Sequence, residues 1–123
     1  MTKVFCTLKF EGTHCYPDAP EEVRYLRDPH RHMFGVRVEM EVHHDDRDIE
    51  FIMMKHVVQS QLHAVYPFDP VRRIYDLGTT SCESIARMIA EQLQKRYGPR
   101  AIVVTVDEDG ENGAIVYEGD AEC

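Results

Sequence analysis

The sequence contains no apolar run long enough to cross a membrane. Of its 123 residues, 43% are hydrophobic and 29% are charged, and no uninterrupted apolar stretch approaches the roughly 20 residues of a membrane span. The opening residues also lack the pattern of a signal peptide. We therefore expect no membrane partner, and we predict one domain over residues 1–118 followed by a C-terminal tail at 119–123.

Cysteine is scarce and shows no paired spacing. The four cysteines, Cys6, Cys15, Cys82 and Cys123, include no Cys-x-x-Cys motif. This usage is typical of free thiols in a reducing compartment, so we expect a cytoplasmic protein without a disulfide framework.

Positive charge is also in short supply. The sequence has 14 Lys and Arg residues against 22 Asp and Glu residues, which gives a formal net charge of −8. General nucleic-acid binding needs a basic surface, so no nucleic-acid partner is expected. A small phosphorylated ligand stays compatible with this charge, because a few arginines can bind it locally.

Histidine, in contrast, is abundant, and three of the seven histidines suggest a metal site. His30 and His32 open a run, residues 34–42, in which apolar and other residues alternate; in a strand, both imidazoles would point to one side. His14 follows another strand-like run at 4–13, and antiparallel pairing would bring all three imidazoles together. Three neutral imidazoles suit zinc and leave a fourth position for water or substrate.

The histidine pattern also has a plainer interpretation. A His-x-His pair arises by chance in a chain with seven histidines, and such a pair is often a surface feature of a strand. The uninterrupted strand that follows His32 and the third histidine on the expected partner strand are the observations that favour the metal interpretation.

Apolar periodicity predicts four strands and two helices in the order ββααββ. The predicted strands cover residues 4–13, 34–42, 101–106 and 114–118, and the predicted helices cover residues 52–65 and 80–97. Residues 48–51 are predicted as a further short strand segment, and residues 66–78 as irregular because Pro67 and Pro70 exclude a helix there. Two hairpins flanking two helices indicate an α+β fold, a four-stranded antiparallel sheet with both helices on one face. Its open edges favour assembly of subunits.

With this order of elements, the sequence resembles the 6-pyruvoyltetrahydropterin synthase and 6-carboxytetrahydropterin synthase family, whose members have the tunnelling fold (T-fold). The family's His-Gly-His pair is similar to residues 30–32, and its first zinc histidine ends the first strand, as His14 does here. Its Asp-Phe-x-x-Leu-Lys motif is similar to residues 50–55, its Thr-Ser/Thr-Glu-x-Leu/Ile-Ala segment to residues 81–86, and its Val-x-Val-x-Glu-Thr segment to residues 104–108.

The resemblance implies a metal cofactor and an assembly. Zinc (Zn²⁺) would be bound by His14, His30 and His32. The subunits would form a homo-oligomer, such as a hexamer built as a stack of rings.

The resemblance also implies a pocket for a pterin or purine-like ligand. Glu108 would anchor the ring, and the start of the second helix, at Ser81, Cys82 and Glu83, would line the pocket. A carboxylate can accept two hydrogen bonds from the edge of a pterin or a guanine. Without the resemblance, Glu108 would be interpreted as one more solvated carboxylate in an acidic turn.

The sequence departs from the family at the residues that move protons. Leu26 stands where the family has its catalytic cysteine, and residues 65–67 stand where it has Leu-Asp-His. Two residues are candidate catalytic replacements: Cys15 adjoins the first histidine, and His63 lies one helical turn before the missing one. Each also has a plain interpretation, as a free buried thiol and as a histidine on a helix surface.

Three functions follow as hypotheses. The first is a zinc-dependent lyase that acts on a pterin such as 7,8-dihydroneopterin triphosphate. The second is a non-catalytic module that binds or sequesters a pterin, a guanine-like base or a nucleotide, and the missing acid–base residues motivate it. The third is a structural oligomer whose histidines are incidental. The sequence favours a diverged member of the synthase family.

Overall fold

The computed structural model describes residues 1–119, and most of the expected tail, residues 120–123, lies outside the described residues. This part of the chain has an α+β fold. The strands are β1 (Thr2–His14), β2 (His30–Val42), β3 (Phe68–Asp69), β4 (Ile74–Asp76), β5 (Ile102–Glu108) and β6 (Asn112–Glu118). The helices are α1 (Phe51–Val65), α2 (Cys82–Tyr97) and a 3₁₀ segment (Glu21–Arg27) between β1 and β2.

The sheet is organised around the long antiparallel pair of β1 and β2. This pair runs without interruption from Thr2 opposite Val42 to His14 opposite His30. The strand order is β3-β4-β1-β2-β5-β6, with β5 and β6 antiparallel to their neighbours and β4 parallel to β1. The histidine-bearing ends of β1 and β2 therefore lie side by side.

One face of the sheet carries the core. Alternation along the strands buries every second side chain, including Phe34, Val38 and Met40 of β2, and both long helices pack on this face. Helix α2 contributes a continuous apolar stripe, of which Ile85 and Ile89 are fully buried. None of the helices within residues 1–119 is long and apolar enough to cross a membrane.

Each long helix begins at a side chain that binds its free backbone N–H groups. The Glu50 carboxylate accepts hydrogen bonds from the N–H groups of Ile52 and Met53, and the Ser81 hydroxyl accepts one from Ser84 at the start of α2. The helix predicted from residue 80 thus begins at Cys82, after the Ser81 cap.

The structure has six strands where the sequence predicted four. The additional strands, β3 and β4, form a short hairpin in the segment that was expected to be irregular. Pro67 and Pro70 exclude a helix, but they lie just outside the two-residue strand β3 and so leave its hydrogen bonds intact. The short strand predicted at 48–51 is wrong, because this segment leads into the cap of α1.

The buried stripe of α1 also differs from the prediction. The apolar spacing in residues 52–65 predicts that Ile52, Val57, Leu62 and Val65 face the core, whereas the helix buries Met54, Val58 and Leu62. Ile52 and Val65 are 51% and 48% exposed. The buried residues follow a strict four-residue spacing, and the apolar residues on the other side of α1 allowed a second choice of face.

Candidate metal centre

Three neighbouring strands have one end at the same corner of the sheet. There they bring together four side chains of types that can bind a metal. His14 is the last residue of β1 and lies opposite His30, the first residue of β2. His32 follows on the same side of β2, and Glu108 ends β5 opposite Phe34. Because side chains alternate along strands, all four point to the face of the sheet that Phe34 shares.

The distances show that these side chains converge. The ring centroids of His14 and His30 are 4.6 Å apart, those of His30 and His32 5.0 Å, and those of His14 and His32 5.6 Å. Glu108 Oε2 lies 3.3 Å from Nε2 of both His14 and His32. One ligand atom from each of the four side chains lies within 4.8 Å of all the others. The structure thus brings together the three histidines proposed from the sequence and adds Glu108.

Each imidazole uses Nδ1 for a hydrogen bond to an oxygen outside the cluster. The acceptors are the Thr80 carbonyl for His14 at 3.0 Å, the Asp28 carbonyl for His30 at 2.9 Å and an Asp109 carboxylate oxygen for His32 at 2.7 Å. Carbonyl oxygens only accept, so Nδ1 carries the proton and Nε2 of a neutral ring keeps its lone pair. Such partners fix the tautomer and orientation of metal-binding histidines.

The cluster lacks a positive centre of its own. Glu108 Oε2 is buried without a hydrogen-bond partner, and lone pairs on two Nε2 atoms face it at 3.3 Å. Acceptors at this distance repel one another unless a cation or protons lie between them. Ligand atoms around a tetrahedral zinc with bonds of about 2.0–2.1 Å are about 3.3–3.4 Å apart. Three imidazoles and a carboxylate therefore fit zinc in chemistry, and the two Glu108–imidazole distances also fit its tetrahedral spacing.

Asp109 is a positioning residue that sequence reasoning missed. Its carboxylate binds His32 and also accepts a hydrogen bond from the backbone N–H of Met33 at 3.0 Å. The hydrogen bond to His32, followed by the one from Met33, lowers the pKa of this carboxyl below its ordinary value. The sequence showed only an acidic turn here; the role of Asp109 depends on the register between β2 and β5.

A cavity of about 480 Å³ adjoins the histidine cluster, which consists of His14, His30, His32 and Glu108. His14, His30 and Glu108 form one wall, and the start of α2 forms another. The residues proposed as ligand-binding or catalytic from the sequence that also line this cavity are Cys15, Ser81, Cys82 and Glu83. A small molecule in this space would touch both the histidine cluster and the first turn of α2.

Comparison with known proteins identifies the family. The sequence model of 6-pyruvoyl tetrahydropterin synthase matches residues 3–119. The chain belongs to the 6-pyruvoyl tetrahydropterin synthase family. This confirms the resemblance and the T-fold, and it supports a pterin-related function. No match is found among curated proteins.

Solved structures share this fold at low sequence identity. An uncharacterized protein from Wolinella succinogenes is 14% identical, with a TM-score of 0.69 over 95% of this chain and 98% of that one. The 6-pyruvoyl tetrahydropterin synthases of Plasmodium falciparum and Plasmodium vivax are 18% and 16% identical, with TM-scores of 0.58 and 0.59. Each alignment with a Plasmodium enzyme covers 97% of this chain and 99% of the other.

Within this member of the 6-pyruvoyl tetrahydropterin synthase family, the two cysteines that line the cavity differ in their capacity to transfer a proton. Leu26 lines it with an apolar side chain. Cys82 is buried, and its burial, followed by the negative charges of Glu108, Glu83 and Asp107, raises the pKa of its thiol to about 12. Cys82 therefore stays protonated at neutral pH. Cys15, in contrast, is a half-buried thiol on the cavity wall.

The structure does not bring His63 to the histidine cluster. Its ring packs beside Phe68 and Tyr75 of the β3–β4 hairpin, with centroids 5.4 and 6.1 Å apart, and Nδ1 lies 3.5 Å from the Tyr75 hydroxyl. Tyr66 occupies one of the positions at which the family has its Asp-His pair. Burial raises the pKa of the Tyr66 phenol above its ordinary value, and the Thr80 side chain opposes part of that rise.

Proposed function

We propose that the protein binds zinc through His14, His30 and His32 and that it binds or acts on a pterin, such as 7,8-dihydroneopterin triphosphate. The observation that carries the proposal is the convergence of three imidazoles whose Nδ1 atoms are all held from outside, beside a cavity. Zinc at this position would polarise a carbonyl or hydroxyl oxygen of the ligand.

The chain's own residues would hold and orient the ligand. Glu108 can accept hydrogen bonds from the edge of a pterin ring, and Ser81, Cys82 and Glu83 present the first turn of α2 to the same cavity. Of the two candidate acid–base residues, Cys15 is the better placed, since it lines the cavity whereas His63 lies at the β3–β4 hairpin. We therefore assign proton transfer, if the protein is a lyase, to Cys15.

Turnover is tested with zinc-loaded protein and 7,8-dihydroneopterin triphosphate. We expect product formation that falls at least about 100-fold in Cys15→Ala, which is the lower end of what a general acid or base contributes. Cys6→Ala, at a buried cysteine of the core, is the control. Absence of turnover above the metal-free protein would reject the lyase.

A non-catalytic binding module is the second candidate. Leu26 in the cavity and Tyr66 at the position of the Asp-His pair favour it, because neither replaces the family's acid–base chemistry. In this case neopterin should raise the melting temperature without being converted, by an amount set by its concentration relative to Kd. Glu108→Ala should abolish the shift; if that variant shows the same shift as the wild type, Glu108 does not anchor the ring.

We also propose that the protein forms a homo-oligomer in the cytoplasm. Within residues 1–119, β6 pairs on one side only, and the first nine residues of β1 pair only with β2. Such open edges favour pairing with further subunits. The free thiols Cys6, Cys15 and Cys82 suit a reducing compartment. Sedimentation analysis of the purified protein tests the assembly, and a monomer at all concentrations would contradict it.

A further inference from the structure

We propose that Glu108 is a fourth metal ligand in the ligand-free protein and has to leave the metal when a pterin binds. This inference rests on the proposed zinc site and gives Glu108 a second role there. It differs from the three-histidine site in one respect: the chain itself occupies the coordination position that a catalytic zinc keeps open.

The position of the Glu108 carboxylate is the first support. Glu108 Oε2 is 3.3 Å from Nε2 of both His14 and His32, and it is buried without a hydrogen-bond partner. A carboxylate that served only to bind a pterin would turn its oxygens to the cavity, where water can solvate them in the absence of ligand. Here one oxygen instead faces two imidazole lone pairs, an arrangement that a shared cation stabilises.

The backbone around Glu108 is the second support. The next residue, Asp109, has a φ of 59° and is joined to Met33 by two hydrogen bonds, from Asp109 N to the Met33 carbonyl at 2.7 Å and from Met33 N to the Asp109 carboxylate at 3.0 Å. The same carboxylate orients His32. The end of β5 is thus fixed against β2, and the Glu108 side chain leaves the backbone beside the histidines.

A metal bound to Oε2 occupies a lone pair and draws electron density from the carboxylate, so it competes with a pterin edge that uses both oxygens. Ligand binding would therefore release Glu108 from the metal and open one coordination position to an oxygen of the ligand. Because coupling between two sites is reciprocal, a pterin should change the affinity for metal, and the metal should change the affinity for the pterin, by the same factor. Glu108 would then control whether an oxygen of the ligand can reach the metal.

The experiment uses zinc affinity and the visible spectrum of the Co²⁺-loaded protein, which reports on coordination number and ligands. For Glu108→Gln we expect the zinc Kd to rise by at least about 10–100-fold, the range seen when even an indirect partner of a metal ligand is removed, together with a changed Co²⁺ spectrum. Glu111→Gln makes the same change of charge three residues away at an exposed position and should leave both readouts unchanged. Neopterin should alter the Co²⁺ spectrum of the wild type.

The outcomes separate this inference from the proposed function. If Glu108→Gln keeps the wild-type zinc Kd and Co²⁺ spectrum, Glu108 is not a ligand, although the three-histidine site stands. If the wild type binds no zinc, the proposed function fails. Should Glu108→Gln not fold, Glu108→Asp serves instead, since it keeps the charge but withdraws the carboxylate by one methylene; it is expected to raise the zinc Kd in the same direction, and an unchanged Kd would reject the inference.

Discussion

Carboxylates and carbonyls lie at both ends of the long β1–β2 pair. The two ends differ in whether a positively charged side chain neutralises these groups. At the end near Val42, Arg100 donates to the Glu41 carbonyl at 3.1 Å, to Asp48 Oδ2 at 3.2 Å and to the Tyr97 carbonyl at 3.2 Å. At the opposite end, three imidazoles and Glu108 converge, and within residues 1–119 no lysine or arginine forms an ion pair with Glu108.

This difference separates a structural cluster from a binding site. The Arg100 cluster supplies its own cation, so its polar groups are satisfied once the chain has folded. In the proposed function a cation completes the histidine cluster, and the hydrogen bonds that orient its imidazoles are made without one. A polar cluster that is fully oriented but lacks one sign of charge is the arrangement expected of a preorganised metal site.

Removing a histidine should produce the largest effect. In His30→Ala we expect the zinc Kd to rise by more than about 100-fold, since loss of a ligand exceeds the 10–100-fold effect of losing a ligand's partner. The metal-free variant should unfold at nearly the same temperature as the metal-free wild type. His56→Ala, at an exposed position of α1, is the control. Chelator competition measures the affinity, and wild-type affinity in His30→Ala would remove the three-histidine site.

Removing the arginine should have the opposite profile. Arg100→Met removes the guanidinium from Asp48 and from two backbone carbonyls, so we expect the free energy of unfolding to fall by about 1.5–3 kcal/mol, as for hydrogen bonds to charged groups, with zinc affinity unchanged. Arg24→Met disrupts only an exposed pair with Glu21 and should cost less than about 1 kcal/mol. Urea denaturation measures both. Equal losses in the two variants would contradict a structural role for Arg100.

The smallest effect concerns the pH dependence of the Arg100 cluster. The backbone N–H of His43 first, and then Arg100, hold the pKa of Asp48 below its ordinary value. The pKa of Asp48 in the folded protein is therefore below its unfolded value of about 3.9. The contribution of the Asp48 carboxylate to the stability of the fold is thus present above that pH and is lost as the pH falls through the folded pKa. The difference in melting temperature between wild type and Asp48→Asn should shrink as the buffer is made more acidic than about pH 4. A difference that persists unchanged in acid would contradict this assignment.

Strand alternation made the histidine trio predictable. His14, His30 and His32 all lie at ends of strands with clear period-two patterns, and antiparallel pairing of adjacent strands leaves little freedom in register. The α+β class followed from the same alternation, whereas the family followed from the resemblance of short motifs at residues 30–32, 50–55, 81–86 and 104–108. The hairpin of β3 and β4 was missed because strands of two and three residues carry no periodicity.

The remaining parts of the site depend on contacts that the sequence does not encode locally. Two of the groups that orient histidines are backbone carbonyls, of Asp28 and Thr80, which any residue type could supply. The place of Glu108 in the histidine cluster depends on the register of β5 against β2. The sequence suggested Glu108 as a pterin ligand through a family motif, but its distance from the imidazoles required the tertiary structure.

The four ligand atoms come from the ends of three different strands, which are also joined there by backbone hydrogen bonds, the Asp109 carboxylate and the Arg31–Glu11 ion pair. Strand ends open more often than strand centres, and their amide protons exchange with solvent accordingly. A cation held at this corner would cross-link β1, β2 and β5 where they would otherwise fray. Loading the protein with metal should therefore slow amide exchange at the last residues of these strands and leave the Arg100 end as it was.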